Sequence, residues 1–286
     1  MECSRRLYAW VVAVALLSTA MAGAQEPSAE SYAAARAARR DTAQRLVARM
    51  TERIDSGKLE GKQLAETFRN RGVGYNYLLE YNQALEDFNH AIEIDLMDPQ
   101  AYEDRAILYL KLRDYAKAGT DLDMALGLDS KRASAYREKG RVAAYRGDFD
   151  RAAMEFDRAL QNSEGDAQVY TALWLHIALT RAGRGEQTPL KEVVAQMNPE
   201  RWPYPAVQMF LGEIPPQAAV RAAASPVAGD ELMRRCEAWF YAGEKYLIDG
   251  DTGHAREAFR SAVATEITDF LEYDWSVREL ERLDGR

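Results

Sequence analysis

Three stretches of this chain align without a gap: FRNRGVGYNYLLEYNQALEDFNHA at 68–91, YEDRAILYLKLRDYAKAGTDLDMA at 102–125 and YREKGRVAAYRGDFDRAAMEFDRA at 136–159. The offset is 34 residues each time, and six columns keep their residue type across it. Phe68, Tyr102 and Tyr136 share one column, which Tyr170 continues; Gly72, Ala106 and Gly140 share a second; Tyr81, Tyr115 and Phe149 a third. The others are Ala84, Ala118, Ala152; Phe88, Leu122, Phe156; and Ala91, Ala125, Ala159. Small residues at fixed positions let two helices approach closely, and recurring aromatics fill the space between successive layers. Asp98-Pro99 and Asp129-Ser130 stand where one unit must stop and the next begin, with a polar cap or a proline at a helix start.

A period of 34 residues with these types is the signature of the tetratricopeptide repeat, two antiparallel helices per unit. The chain therefore reads as all-α, a tetratricopeptide-repeat helical solenoid with flanking capping helices. Regular units start near Ala65, Pro99 and Ala133, and the first helix of a divergent fourth runs over about 166–182. Gly183-Arg184-Gly185 ends it, and Thr188-Pro189 opens a shorter helix reaching about Met197. Pro199, Pro203, Pro205, Pro215 and Pro216, set around Trp202, Tyr204 and Phe210, exclude long helices from the next segment. The pattern then resumes: Trp239, Gly243, Tyr246, Ala255, Phe259 and Ala262 reproduce Phe68, Gly72, Tyr75, Ala84, Phe88 and Ala91 at a displacement of 171. A last amphipathic helix over about 269–283, with Phe270, Tyr273, Val277, Leu280 and Leu283 on one stripe, is expected to cover the open end of the stack. Ahead of the repeats, Leu46, Val47, Met50 and Ile54 form a stripe on a helix over about 32–55, whose partner is either the first repeat or a second subunit in a homodimer. The resulting division is 1–24, 25–64 (N-terminal helical segment), 65–198 (repeats), 199–229 (Pro-rich insertion) and 230–286 (last repeat and C-terminal helix).

Residues 1–24 read as a secretory signal peptide: Arg5-Arg6, an apolar run from Leu7 to Leu17, then Ala22-Gly23-Ala24. Sec and twin-arginine export both remain open. The mature chain is expected to begin at Gln25 and to be periplasmic or secreted. No cysteine follows the apolar run, so no lipid anchor is expected there, and cleavage leaves Cys236 without a disulfide partner. A net charge of −8 argues against nucleic acid and anionic lipid as partners. Catalytic and phosphate-binding motifs are missing, and His90, His176 and His254 read as structural or solvated. No enzyme, cofactor or metal is expected, and Cys236 reads as a small core thiol rather than a nucleophile beside His254.

Binding is the better-supported class. In a tetratricopeptide stack the first helix of each unit lines a concave groove through its second, fifth, ninth, twelfth and thirteenth positions. Those positions are Glu66, Arg69, Val73, Asn76 and Tyr77 in the first unit, Gln100, Glu103, Ile107, Leu110 and Lys111 in the second, and Ser134, Arg137, Arg141, Ala144 and Tyr145 in the third. Arg69, Asn76, Tyr77, Arg137, Arg141 and Tyr145 are the expected peptide- or protein-binding residues, since guanidinium and amide groups grip backbone and carboxylate while tyrosines add apolar contact. Val73 stands where the chaperone-type carboxylate clamp needs Asn, so that role is not expected.

The Asn70-Arg71-Gly72 start, the repeat body from Asp87-Phe88 to Ile94-Asp95, Trp202-Pro203-Tyr204-Pro205 with Leu211-Gly212, the run Cys236-Glu237-Ala238-Trp239-Phe240-Tyr241, and the ending Phe270-Leu271-Glu272-Tyr273 with Glu279-Leu280 together resemble the NlpI-type tetratricopeptide proteins of the bacterial cell envelope. That resemblance implies a non-catalytic, often dimeric adaptor that gathers peptidoglycan-cleaving enzymes and a periplasmic protease. Founding members carry a lipidated cysteine that this chain lacks. A structural, self-assembling envelope component is the alternative.

Overall fold

The computed structural model describes residues 28–195 and 201–285; the signal segment, Met197 and Pro199 lie outside them. The repeats are helical pairs: α2 (Gly61–Tyr77) with α3 (Tyr81–Ile94), α4 (Pro99–Lys111) with α5 (Tyr115–Leu128), and α6 (Ala133–Tyr145) with α7 (Phe149–Gln161). They are preceded by α1 (Ala29–Asp55) and followed by α8 (Asp166–Arg181), the short helices α9 (Leu190–Val194), α10 (Tyr204–Phe210) and α11 (Pro216–Arg221), the last pair α12 (Ala228–Ile248) and α13 (Thr252–Val263), and α14 (Leu271–Leu283). These are the fourteen α-helices of the described residues, with one 3-10 turn at Gly185–Gln187 between α8 and α9, and the fold is the all-α tetratricopeptide solenoid.

One contact recurs wherever a pair is regular. A Cβ placed on Gly72 would lie 2.8 Å from Cε1 of Phe88, and on Gly140 and Gly243 it would lie 2.5 Å from Cε1 of Phe156 and Phe259. Ala106 and Leu122 occupy the same two columns in the second unit, both fully buried. The fourth unit has Trp174 in the small-residue column. An indole there leaves no room for a second long helix, and α9 to α11 replace it. Trp174 instead stacks on Trp275 at 4.5 Å and on Phe240 at 5.1 Å.

A charged pair also repeats. Arg71 binds Asp87 at 2.8 Å, Arg105 binds Asp121 at 2.8 Å, and Lys139 approaches Glu155 at 3.8 Å. Their carboxylates are almost fully buried, so each cation is needed to offset desolvation. The last repeat puts Ala242 and Ala258 at these positions, both buried, and replaces the ion pair by plain packing.

Each first helix of a pair ends on a left-handed residue: Leu79 (φ 64°), Arg113 (φ 62°), Gly147 (φ 80°) and Gly250 (φ 82°). Glycine adopts this conformation freely; a side chain there is strained by about 1–2 kcal/mol.

The two ends of the stack depart from a simple capped solenoid. Helix α1 packs on α2, where a Cβ on Gly74 would lie 2.7 Å from Val47. Of the expected stripe, Val47 meets the first repeat and Met50 is buried, while Leu46, Val47 and Ile54 stay half-buried. The first half of α1 runs on to α12: Tyr32 donates to Glu231 at 2.6 Å, and Arg39 bridges Tyr77 at 2.5 Å and Asp269 at 2.6 Å. First and last repeats are thus tied together. Helix α14 packs on α12 and α13 as a further unit would, but it does more than close the end, because its other face reaches back over α4, α6 and α8.

Two substitutions read these features in opposite directions. Gly140→Ala drives a methyl into Phe156 and should destabilise the chain by about 1–3 kcal/mol. Leu79→Gly relieves the left-handed strain and should stabilise it by roughly 0.5–1 kcal/mol after the entropy of glycine is subtracted. Thermal and urea melts of both variants check the two signs.

Candidate functional site

The concave face is built from α2, α4 and α6, whose spacing is set by the Gly–Phe crossings beneath them. The structure separates the six expected binding residues into two groups. Arg69 is held by Asp98 at 3.3 Å and Asp104 at 3.1 Å, and the Tyr77 hydroxyl accepts from Arg39. Arg141 is buried against Glu138, and it donates to the Tyr145 hydroxyl at 3.2 Å. Tyr145 is itself buried, edge-on to Trp275 at 5.4 Å and beneath the Arg278 guanidinium at 4.2 Å. Burial pushes its phenol well up. The Arg141 guanidinium, expected to grip a partner, is instead engaged by Glu138 and Tyr145 of its own helix.

Asn76 and Arg137 differ. The Asn76 Oδ1 is buried without a hydrogen-bond partner, and half-buried Arg137 forms no hydrogen bond or ion pair among the described residues, though its charge bears on neighbouring Glu138. Lys111, one helix away, is also unpaired: burial lowers its pKa, and Asp269 and Asp274 oppose that shift without binding it. Val73 leaves 39% of its surface exposed on the same face.

What closes the far part of the face is α14, whose role sequence reasoning missed. Arg278 donates to the Leu110 carbonyl at 2.9 Å and to the Tyr115 hydroxyl at 2.5 Å, and Arg282 donates to the carbonyls of Ala144 at 2.7 Å and Tyr145 at 2.8 Å. These carbonyls lie at the C-terminal ends of α4 and α6, where the backbone lacks helical partners and the helix dipole favours a cation. Arg113 holds Glu281 through both oxygens, at 2.9 and 2.6 Å, and so uses its strained turn position to grip the same helix. The readable signal was a second stripe on α14, Trp275, Arg278, Glu279 and Arg282, opposite the apolar one.

At the other end of the face lies a run of buried acids. Glu237 accepts from the Trp202 indole at 2.5 Å and the Tyr170 hydroxyl at 3.3 Å, and burial raises it to about 7. Glu272, on α14, is raised to about 8 by burial and by the charge of Glu237. Glu244 is raised to about 7 by burial and by Glu279, with Arg181 at 3.0 Å opposing both.

Phe210 packs in the core between His176 and Tyr241. Cys236 is sealed beside Leu232 and Ile267, and burial pushes its thiol far up. His254 sits on the surface against Asp251 at 2.6 Å, so these two residues form no dyad. Among the described residues no three His, Cys, Asp or Glu side chains converge as metal ligands.

No protein-family model matches the chain. Among solved structures, a tetratricopeptide repeat protein from Parabacteroides merdae is similar at 15% identity over 86% of this chain and 100% of its own, with a TM-score of 0.49. PilW, a type IV pilus biogenesis factor, is similar at 18% identity over 73% of this chain and 96% of its own, with a TM-score of 0.46. YrrB, described as a tetratricopeptide protein with an unusual peptide-binding site, is similar at 22% identity over 68% and 100%, with a TM-score of 0.39. The fold assignment rests on the chain's own recurring contacts.

The raised acids set a pH dependence. Near neutrality Glu237, Glu244 and Glu272 keep protons in the folded chain that the unfolded chain, with ordinary carboxyls near 4.5, has lost. The folded state then binds more protons, so stability falls as pH rises through the folded values of about 7 and 8. Between about pH 5 and 8 the melting temperature should fall and then level off, and Glu272→Gln should flatten the slope, most visibly between about pH 7 and 8 where Glu272 alone keeps most of its proton.

Proposed function

We propose that this protein is a non-catalytic scaffold of the bacterial cell envelope that holds an extended segment of a partner protein along the concave face of α2, α4 and α6. The observation that carries this reading is unused bonding capacity among the described residues: Arg137 and Lys111 are cations with no ion pair there, and the Asn76 carbonyl oxygen is buried without a donor. Such groups are normally satisfied, and a peptide backbone with an acidic side chain would satisfy all three. Exposed Val73 and half-buried Ile107 supply apolar contact beside them. Export of the chain and the resemblance to NlpI-type proteins favour an envelope protease or a peptidoglycan-cleaving enzyme as the owner of that segment. A homodimer through α1 stays part of this reading, with Leu46, Val47 and Ile54 only half-buried beside α2.

The test is the double change Arg137→Ala with Lys111→Ala. Neither group forms an ion pair among the described residues, so helicity and melting should stay close to those of the parent protein. Recovery of partner proteins from envelope extracts should drop at least tenfold, as expected when about 1.4 kcal/mol or more of binding is removed. Unchanged recovery of the same partners would overturn the groove reading.

A further inference from the structure

Helix α1 changes character along its length. Its second half belongs to the packed body: Ala43 and Met50 are buried, and Val47 meets Gly74 of α2. In its first half, residues 29–42, no residue is buried. This half nonetheless reaches the last repeat, where the tips of three side chains hold it. Tyr32 donates to Glu231 at 2.6 Å and lays its ring on Leu232, Cys236 and Ile267. Arg36 pairs with Glu266 at 3.3 Å. Arg39 donates to Asp269 at 2.6 Å, to the Tyr77 hydroxyl at 2.5 Å and to the Met233 sulfur at 3.0 Å. Beside them Ala35 faces Gly229, where an added Cβ would lie 4.0 Å from the alanine methyl.

Ion pairs that keep contact with water are weak, and added salt screens them. Arg36 and Glu266 are 32% and 67% exposed, Arg39 and Asp269 28% and 21%, so both attachments are of the screened kind. Helix α14 also crosses between repeats, but fully buried Trp275 anchors it. Residues 29–42 have only the half-buried Tyr32 ring in that role. A segment with so few buried contacts opens at a small fraction of the cost of unfolding the whole chain. The repeats would survive its opening, because the crossings of Gly72 with Phe88 and Gly140 with Phe156 involve no residue of α1.

We propose that residues 29–42 are a strap, closed onto the last repeat by Arg36 and Arg39 at low ionic strength and released at high ionic strength while the repeats stay folded. Arg39 gives the release its consequence. It touches the concave face through Tyr77 and the segment leading into α14 through Asp269. Opening therefore uncovers a tyrosine and a carboxylate at the α2 end of the face, a surface opposite in charge to Lys111 and Arg137. The strap itself does not depend on what the face binds; only its bearing on partner capture rests on that reading.

The test follows amide exchange of the protein by mass spectrometry at about 0.01 M and about 1 M sodium chloride, over which the screening length falls from about 30 to about 3 Å. A released segment of this length is marginal as an isolated helix, so release is read as exchange of its amides. Residues 29–42 should exchange about fivefold faster or more in high salt, with the amides of α2 to α7 unchanged. Arg39→Ala should accelerate the same residues about tenfold or more in low salt, whereas Arg45→Ala, which removes a pair with Asp41 inside α1, should change them about twofold or less. Ala35→Cys with Gly229→Cys closes the strap covalently, since a Cβ separation of 4.0 Å suits a disulfide. Oxidation should abolish the salt response and reduction should restore it. Exchange over 29–42 that ignores salt, or salt-driven acceleration that spreads through α2 to α7, would overturn the strap, and these readouts need no variant. A salt response that survives the closed disulfide, or failure of the two cysteines to join, would overturn it as well. Partner recovery enters none of these measurements, so the strap and the groove reading stand or fall separately.

Discussion

The approach of Phe88 to Gly72, repeated as Phe156 on Gly140 and Phe259 on Gly243, sets the distance at which the two helices of a unit cross. Everything on the concave face inherits that spacing, because the first helices of successive units are positioned by the second helices behind them. Where the rule is broken, the architecture changes at once. Trp174 fills the small-residue column and the fourth unit loses its second helix, so its indole turns to Trp275 and Phe240. That turn binds α8 to α12 and α14. A single wrong-sized residue thus marks the point where a linear stack becomes a closed body.

Much of this could be read from the chain because the packing rule is periodic. The helix pairs, the break after 182, the return of the pattern at Trp239 and the final helix all fall where the columns put them. What could not be read was how the ends meet. Contacts such as Arg39 with Asp269, or Arg282 with the Ala144 and Tyr145 carbonyls, join residues far apart in sequence and follow no period. The groove list named positions on the first helices and assumed an empty groove. Burial of Arg141 and Tyr145 is a consequence of α14, and no column of the repeat encodes it. The charged column of Arg71, Arg105 and Lys139 against Asp87, Asp121 and Glu155 was periodic and available, but lay hidden among columns chosen for size rather than charge.

Two kinds of interaction hold α14 in place, and they differ in physical character. Trp275 is fully buried among Trp174, Phe240 and Tyr145, a non-directional contribution of the kind that stabilises a core by several kcal/mol, about 3–5 for loss of such a side chain. Arg278 and Arg282 are directional: they read the ends of α4 and α6, so they fix the register of α14 against the repeats. The first makes α14 a permanent part of the molecule. The second determines which stretch of the groove it occupies, and by subtraction which stretch stays available.

The stretch that stays available is cationic. Lys111 and Arg137 form no ion pair among the described residues, while the buried acids Glu237, Glu244 and Glu272 are raised toward neutrality by burial and hold protons there. Elsewhere the repeats place cation and carboxylate at the same crossing, as in Arg71 with Asp87. A molecule whose helices are fixed by close-packed crossings cannot shift them to give these two cations a carboxylate of their own, so that pairing is left to whatever binds across the face.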